Sequence, residues 1–169
     1  MRRAILLALG LATVGLSLPS GAATPACTIT GTNGDDRLIG TGGRDVICGR
    51  GGDDFIKGKG GNDTAFGGAG EDVIILGPGR DGGSGGGDDD VVDGNGGRDR
   101  LRGGGGQDFL RGFGEPDVLR GGRNRDCLYA FDGVGGNDLA IGGPGHDFHD
   151  VDPGDQLRSA EEPASCAGD

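Results

Sequence analysis

The sequence predicts an all-β protein, a right-handed parallel β-roll (a β-solenoid) made of nine-residue repeats, with two parallel sheets of short strands. A nine-residue register begins at Gly31 and recurs thirteen times up to Asp150, interrupted only by a three-residue insert at 130–132. The composition, with 43 glycines, 33% apolar residues and no tryptophan, is too poor in large side chains for an ordinary hydrophobic core. Order must therefore come from the arrangement of the repeats.

An N-terminal segment stands apart from the repeats. Arg2 and Arg3 precede an apolar run from Ala4 to Leu18, and small residues follow up to Ala23. This order is typical of a secretory signal peptide, so we expect residues 1–23 to be removed and the protein to be secreted. Cleavage at either of two other positions, after Ala22 or after Ala26, fits nearly as well. The apolar run is short for a membrane span, which predicts a protein with no membrane span.

The expected mature chain is strongly acidic. Loss of the two N-terminal arginines leaves 14 Lys and Arg side chains against 27 Asp and Glu side chains, a net charge of −13. Such a surface disfavours nucleic acid and anionic membranes and favours cations.

The repeat has one invariant column. Position 6 is aspartate in all thirteen copies: Asp36, Asp45, Asp54, Asp63, Asp72, Asp81, Asp90, Asp99, Asp108, Asp117, Asp126, Asp138 and Asp147. Position 1 is glycine in twelve copies, with Leu76 as the exception, and position 4 is glycine in ten. These columns resemble the GGxGxDxUx nonapeptide of the RTX, or haemolysin-type calcium-binding, repeat family. The resemblance covers residues 31–150 and implies a calcium-binding β-roll.

The spacing predicts one turn and one strand in each repeat. Glycine at positions 1, 3 and 4 is expected to give the positive φ angles of a tight turn, and positions 7–9 form a strand with position 8 facing the core. Two repeats complete a coil of 18 residues, so alternate repeats stack. One sheet is predicted to contribute Leu38, Ile56, Ile74, Val92, Leu110, Leu128 and His149 to the core. The other is predicted to contribute Ile47, Ala65, Gly83, Leu101, Leu119 and Ala140.

Stacking places the position-6 aspartates in a column at each edge of the roll. A hard cation that accepts six to eight oxygens fits between successive turns, and calcium fits better than magnesium, which demands a stricter octahedron. By the resemblance, all thirteen aspartates are calcium ligands, with several ions and at most eleven. We expect the tightest sites in the N-terminal repeats, because repeat 6 loses its first glycine at Leu76 and its core side chain at Gly83.

Segments outside the repeats are predicted to cap the roll. Residues 24–30 extend the register backwards as a cap strand, with Ile29 at a position-8 site, and residues 151–169 form a tail without repeats. Four cysteines in an exported chain predict disulfides. Of the three possible pairings we favour Cys27 with Cys48 and Cys127 with Cys166, since each would hold one end.

Function is predicted to be binding rather than catalysis. We expect a secreted calcium-ion-binding protein with a structural or surface-interaction role; beyond calcium ions, no pattern identifies a protein or cell-surface partner. An adhesive or ice-binding solenoid is the alternative, and a hydrolase using His146 and His149 is less favoured than a capping role for these histidines. The arginines between Arg98 and Arg125 could bind a polyanion, but charge balance against neighbouring acids is the preferred interpretation.

Overall fold

Each repeat forms one turn and one short strand in the computed structural model, which describes residues 26–133 and 137–158. The expected signal peptide, residues 1–23, lies outside the described residues. Among the described residues no helix is long and apolar enough to cross a membrane.

Fifteen strands form two parallel sheets. The eight-stranded sheet contains β1 (Ile29–Thr30), β3 (Val46–Gly51), β5 (Thr64–Ala69), β7 (Gly82–Gly87), β9 (Arg100–Gly105), β11 (Val118–Arg123), β13 (Leu139–Ile141) and β15 (Gln156–Leu157). The seven-stranded sheet contains β2 (Arg37–Ile39), β4 (Phe55–Lys57), β6 (Val73–Ile75), β8 (Val91–Asp93), β10 (Phe109–Arg111), β12 (Cys127–Tyr129) and β14 (Phe148–Asp150). Consecutive strands therefore alternate between the sheets, as the predicted coil of two repeats requires.

The strand register confirms the two predicted stacks of core residues. Leu38 is paired with Ile56 in one sheet and Ile47 with Ala65 in the other, each pair 18 residues apart. The buried apolar side chains form a single cluster between the sheets. Its members are Leu38, Ile47, Ile56, Ala65, Ile74, Leu76, Val92, Leu101, Leu110, Leu119, Leu128, Ala130 and Ala140. The core is thus a narrow layer of position-8 side chains from both sheets. Leu76, at position 1 of repeat 6, and Ala130, the first residue after repeat 11, add to it.

In repeat 6 the core side chain comes from position 1 and not from position 8. A Cβ placed on Gly83 would lie 2.7 Å from Val92 Cγ1 and 3.2 Å from Leu76 Cδ1, so the space at position 8 is already filled. Leu76, at position 1 of the same repeat, is fully buried and supplies one of these atoms. The expectation that repeat 6 lacks a core residue is therefore wrong, because Leu76 and Gly83 exchange their usual roles.

The N-terminal end of the roll follows the extended register. Ile29 is paired with Ile47 and packs against the core. The predicted disulfide between Cys27 and Cys48 is present and ties this first strand to the second coil. Cys127 is also disulfide-bonded. Its predicted partner, Cys166, lies outside the described residues, so that pairing stays a prediction.

The C-terminal end carries one more turn than we expected from the sequence. Strand β15 pairs with β13, which aligns Leu157 with Ala140. Asp155 accepts a hydrogen bond from the backbone N–H of Asp138 at 3.2 Å, the contact that a position-6 aspartate makes elsewhere. Residues 151–157 therefore form a shortened repeat. The predicted tail without repeats does not begin at residue 151.

Candidate metal centre

The invariant aspartates lie in two columns, one along each edge of the roll. We call the edge formed by the turns of repeats 1, 3, 5, 7, 9, 11 and 13 the odd edge, and that of repeats 2, 4, 6, 8, 10 and 12 the even edge. All position-6 aspartates are buried except Asp36, which is partly exposed. The structure thus brings each predicted set of aspartates together, coil upon coil.

A hydrogen-bond ladder fixes these carboxylates. The backbone N–H of each aspartate donates to Oδ1 of the aspartate one coil further on: Asp54 to Asp72 at 2.9 Å on the odd edge, and Asp63 to Asp81 at 2.7 Å on the even edge. The ladder continues through the turn that holds the three extra residues, where the Asp117 N–H donates to Asp138 Oδ1 at 2.7 Å. One oxygen of each carboxylate is therefore committed to holding neighbouring coils in register.

The second carboxylate oxygen is left over in most turns. Oδ2 is buried and has no hydrogen-bond partner in Asp54, Asp63, Asp72, Asp81, Asp90, Asp99, Asp108 and Asp126. A buried acceptor without a partner costs about 1 to 3 kcal/mol, and more when it is charged. Eight such oxygens at equivalent positions point to a ligand that the protein chain itself does not supply.

A glycine at position 1 lies beside seven of these eight oxygens, and the exception is the turn of Asp81, where position 1 is Leu76. A Cβ on Gly49 would lie 2.1 Å from Asp54 Oδ2 and 2.5 Å from the carbonyl oxygen of Gly67 in the next coil. A Cβ on Gly58 would lie 2.6 Å from Asp63 Oδ2 and 2.5 Å from a carbonyl oxygen of the coil above. Each space is therefore bordered by a carboxylate oxygen of one turn and a backbone carbonyl of the next.

The donor set of these spaces fits calcium. Within residues 26–133 and 137–158, no group of three or more His, Cys, Asp or Glu side chains is placed to hold a metal ion. A site must then take most of its ligands from backbone carbonyls, which suits calcium, with its six to eight oxygen ligands and flexible geometry. It does not suit zinc, which prefers four nitrogen or sulfur ligands.

The turn backbone agrees only in part with the one we predicted. Positive φ angles occur at positions 2 and 4 of repeats 3–5 and 7–9, for example 130° at Gly68 and 112° at Gly70, which confirms position 4 but adds position 2. Among the described residues, positions 1 and 3 take a positive φ only at Gly133 and Gly114. Asp88 interrupts the position-4 glycine column yet keeps a φ of 70°, a conformation that aspartate tolerates better than most residues. Position 1 needs glycine for space, whereas a Cβ on Gly87 at position 3 would meet nothing within 4 Å.

The first two turns satisfy their aspartates internally. Asp36 Oδ2 accepts hydrogen bonds from the Thr32 backbone N–H at 2.6 Å and from its hydroxyl at 2.9 Å. Thr41 makes the same pair of bonds to Asp45 Oδ2, at 2.7 and 2.8 Å. The sequence contains this signal, since position 2 is threonine only in these two copies, but we did not interpret it. These threonine-capped turns weaken the expectation that the N-terminal sites bind calcium most tightly.

Acidity separates the capped turns from the others. The backbone and hydroxyl hydrogen bonds from Thr41 lower the pKa of Asp45. Burial raises the pKa of Asp90 and of Asp99 to about 7, and that of Asp117 to about 8, with neighbouring carboxylates adding to the increase. In the middle of each column, buried carboxylates therefore lie near one another without a compensating positive charge. A bound cation would stabilise their ionised form.

The two histidines do not form a visible catalytic pair. His149 is buried in the position-8 stack, where it aligns with Leu128, and burial lowers its pKa. His146 lies in the exposed part of the last full turn. Their placement agrees better with closing the core than with a solvent-facing site.

The fold and the edges together define the class of this protein: a parallel β-solenoid whose turns stack buried aspartates at the interval of one coil. A family model, the RTX calcium-binding nonapeptide repeat, matches residues 28–56, 49–82, 84–112 and 132–148, which is more than half of the chain. The chain belongs to the RTX calcium-binding nonapeptide repeat family. Comparisons with curated proteins and with solved structures gave no significant match.

Proposed function

We propose that this is a secreted protein whose β-roll binds several calcium ions between stacked turns, with the position-6 aspartates as ligands and with a structural or surface-interaction role. The observation that carries the proposal is the set of eight buried, unpartnered Oδ2 atoms, seven of which lie against a position-1 glycine that has no room for a side chain. Membership of a calcium-binding repeat family supports the identity of the ion.

Calcium binding and folding are expected to form one equilibrium. The core is a single file of aliphatic side chains, while ordering each residue costs about 1 to 2 kcal/mol for the backbone alone. Stacked carboxylates add repulsion, which a divalent cation between turns removes. An ion that binds only the folded chain stabilises it in proportion to its concentration.

The proposed ligands are not equivalent. Asp36 and Asp45 already have hydrogen-bonded Oδ2 atoms, and Leu76 places a side chain where other repeats have the position-1 glycine. We therefore place the strongest sites in the middle turns other than repeat 6, and expect fewer ions than the eleven that the repeat count allows.

A binding role is favoured over catalysis and over an ice-binding surface. His149, one of the two histidines that a hydrolase would use, is buried in the core stack. An ice-binding face would need one residue type repeated along a sheet, but paired outer positions change from Thr64 to Gly82 to Arg100. The disulfide between Cys27 and Cys48 supports an extracellular location.

Calcium titration of the refolded mature chain, residues 24–169, tests the proposal. Circular dichroism in excess chelator should show a largely disordered chain, and millimolar calcium should produce a β-rich spectrum in one cooperative transition. Isothermal titration calorimetry should give several ions per chain, and magnesium at the same concentration should not replace calcium. A β-rich spectrum that chelator leaves unchanged, with no heat of calcium binding, would overturn the proposal.

A further inference from the structure

The eight-stranded sheet is basic in a protein that is strongly acidic. Its described strands carry five arginines and no aspartate or glutamate. The arginines are Arg50, Arg100, Arg102, Arg120 and Arg123. The seven-stranded sheet is mixed, with Asp93 and Asp150 beside its basic residues and an ion pair between Arg111 and Asp93. Positive charge is thus concentrated on one outer face.

A groove runs over this face. It has a volume of about 690 Å³ and is lined by Ser84, Arg102, Arg120 and Arg123. Its floor is backbone, because glycines occupy position 2 of successive strands at Gly86, Gly104 and Gly122, among others. The floor is therefore flat, free of side chains and bordered by guanidinium groups.

The arginines of the groove have no internal counter-charge. Arg102 and Arg120 are direct neighbours in adjacent parallel strands, about 4.8 Å apart along the sheet. Like charges in such positions destabilise a sheet. Among the described residues no ion pair involves Arg102, Arg120 or Arg123, so charge balance by neighbouring acids, the interpretation we preferred from the sequence, does not hold on this face.

We propose that this groove, the arginine groove, binds an acidic polysaccharide, with Arg102 and Arg120 pairing with carboxylate or sulfate groups of successive sugar units. The planar guanidinium fork suits both groups. The spacing of the two arginines, one strand apart, is comparable to the length of a sugar unit, and the glycine floor lets the sugar rings approach the backbone. The Ser84 side chain, which lines the groove, is available to sugar hydroxyls.

Other polyanions fit the groove less well. Single-stranded nucleic acid is usually held by aromatic side chains that stack on its bases, and no aromatic residue lines the groove. An acidic peptide would need pockets for alternate side chains, which a floor of glycine does not offer. An acidic polysaccharide has charged groups for the arginines and hydroxyl groups for Ser84, both of which line the groove.

Binding of defined polyanions to the folded, calcium-loaded chain tests this proposal. The probes are polygalacturonate and heparin as carboxylated and sulfated polysaccharides, dextran as the neutral polysaccharide, polyglutamate and single-stranded DNA. We expect binding of polygalacturonate or heparin, weakening as salt is added, and little or no binding of dextran. The double substitution Arg102→Gln with Arg120→Gln should weaken it at least about tenfold, since two charged hydrogen-bond donors to the polyanion are lost.

A matched control removes the same charge from the opposite sheet. Arg37 and Lys57 are exposed on the seven-stranded sheet, and Arg37→Gln with Lys57→Gln should leave binding nearly unchanged. Equal loss in both double variants, or stronger binding of polyglutamate or DNA than of either acidic polysaccharide, would overturn the proposal. Calcium-induced folding of the Arg102/Arg120 variant, followed by circular dichroism, should match the unsubstituted chain, which separates this test from that of the calcium sites.

Discussion

The first two turns and the middle turns of the roll use the same aspartate in different ways. In the first two, Thr41 and its counterpart donate two hydrogen bonds to the second carboxylate oxygen, as at Asp45. In the middle, the equivalent oxygen of Asp90 or Asp99 is buried without a partner. The pKa values move in opposite directions: the hydrogen bonds from Thr41 lower the pKa of Asp45, whereas burial, with neighbouring carboxylates, raises that of Asp90 to about 7.

This difference indicates how the repeat array begins. A solenoid has open ends, and its terminal repeats must be stable without a neighbour on one side. Threonine gives the first turn of each edge a closed hydrogen-bonded loop that requires no ion. The middle turns can leave the same oxygen free because a cation, held between two coils, is expected to complete them. A single invariant column therefore contains both capping residues and the proposed calcium ligands.

The largest effect should come from filling one of the glycine spaces. A Cβ at Gly85 would lie 2.1 Å from Asp90 Oδ2, so Gly85→Ala should abolish calcium binding at this turn and cost about 1 to 3 kcal/mol through overpacking. Gly87 in the same strand is the control, because its added Cβ would meet nothing within 4 Å and Gly87→Ala should change stability by less than about 0.5 kcal/mol. Urea unfolding in saturating calcium measures the stability of both variants. Similar losses in the two variants would mean that these spaces are not binding sites.

Removal of charge from the two kinds of turn should separate them next. Asp90→Asn keeps the shape of the side chain but weakens a proposed ligand, and we expect the calcium midpoint of folding to rise at least about tenfold, since ligand charge strongly tunes calcium affinity. Asp36→Asn changes an aspartate that Thr32 already satisfies, and its calcium midpoint should rise much less. Calcium titrations followed by circular dichroism decide this. A larger shift for Asp36→Asn would reverse our assignment of capping and binding turns.

The pKa values predict that calcium and protons compete in the middle turns. Burial raises the pKa of Asp90 from 3.8 to about 7, so the calcium-free fold binds protons more tightly than the unfolded chain and loses stability as pH rises through this range. Calcium needs the ionised form, so protonation of the calcium-free fold should oppose binding at about pH 5.5, more than at about pH 8, where the calcium-free chain is expected to be disordered and its aspartates ionised. Asp45 behaves oppositely, because its lowered pKa stabilises the fold at neutral pH and that contribution is lost in acid.

Calorimetry in buffers with different ionisation enthalpies provides the measurement. Measured at about pH 5.5, where protonation of the raised-pKa carboxylates favours the calcium-free fold, calcium binding should release protons. Near pH 8, where the calcium-free chain is expected to be disordered with ionised aspartates, it should release few. Binding without proton release at about pH 5.5 would show that these carboxylates are not protonated before calcium binds.

The sequence was sufficient for the stacking but not for the details of the turn. Period nine and the position-8 aliphatic column determine which strands pair, so Leu38 with Ile56 could be predicted without coordinates. The glycine columns were harder to interpret, because a glycine required for space, such as Gly49, looks the same in a sequence as one required for its φ angle, such as Gly70.

Compensation between positions was the other limit. The exchange of roles between Leu76 and Gly83 becomes visible only when both are seen to occupy one part of the core. Asp155 was missed because its turn is shortened, although Asp155, Gln156 and Leu157 repeat the spacing of positions 6 to 8. The sequence also does not show which arginines have an acidic partner: Arg111 pairs with Asp93, whereas Arg102 and Arg120 have no ion pair among the described residues.

The smallest expected effect concerns the threonine caps themselves. Thr41→Val keeps the shape of the side chain and the backbone N–H bond to Asp45, but removes the hydroxyl bond of 2.8 Å to Asp45 and two exposed hydrogen bonds between the hydroxyl and the Gly43 backbone. We expect the free energy of unfolding in saturating calcium to fall by about 1 kcal/mol, since the two bonds to Gly43 are exposed to water and contribute little net stability. Thr64→Val is the matched control, because Thr64 lies in a strand and its hydroxyl makes no hydrogen bond to the described residues. Urea unfolding should place Thr64→Val within about 0.5 kcal/mol of the unsubstituted chain.

Because the Asp45 carboxylate loses a donor only in the Thr41→Val variant, the pKa of Asp45 should rise there and not in the Thr64→Val control. NMR titration of the aspartate side chains can detect this difference. Equal stability of the two variants would show that the first turns depend on calcium as much as the middle ones do.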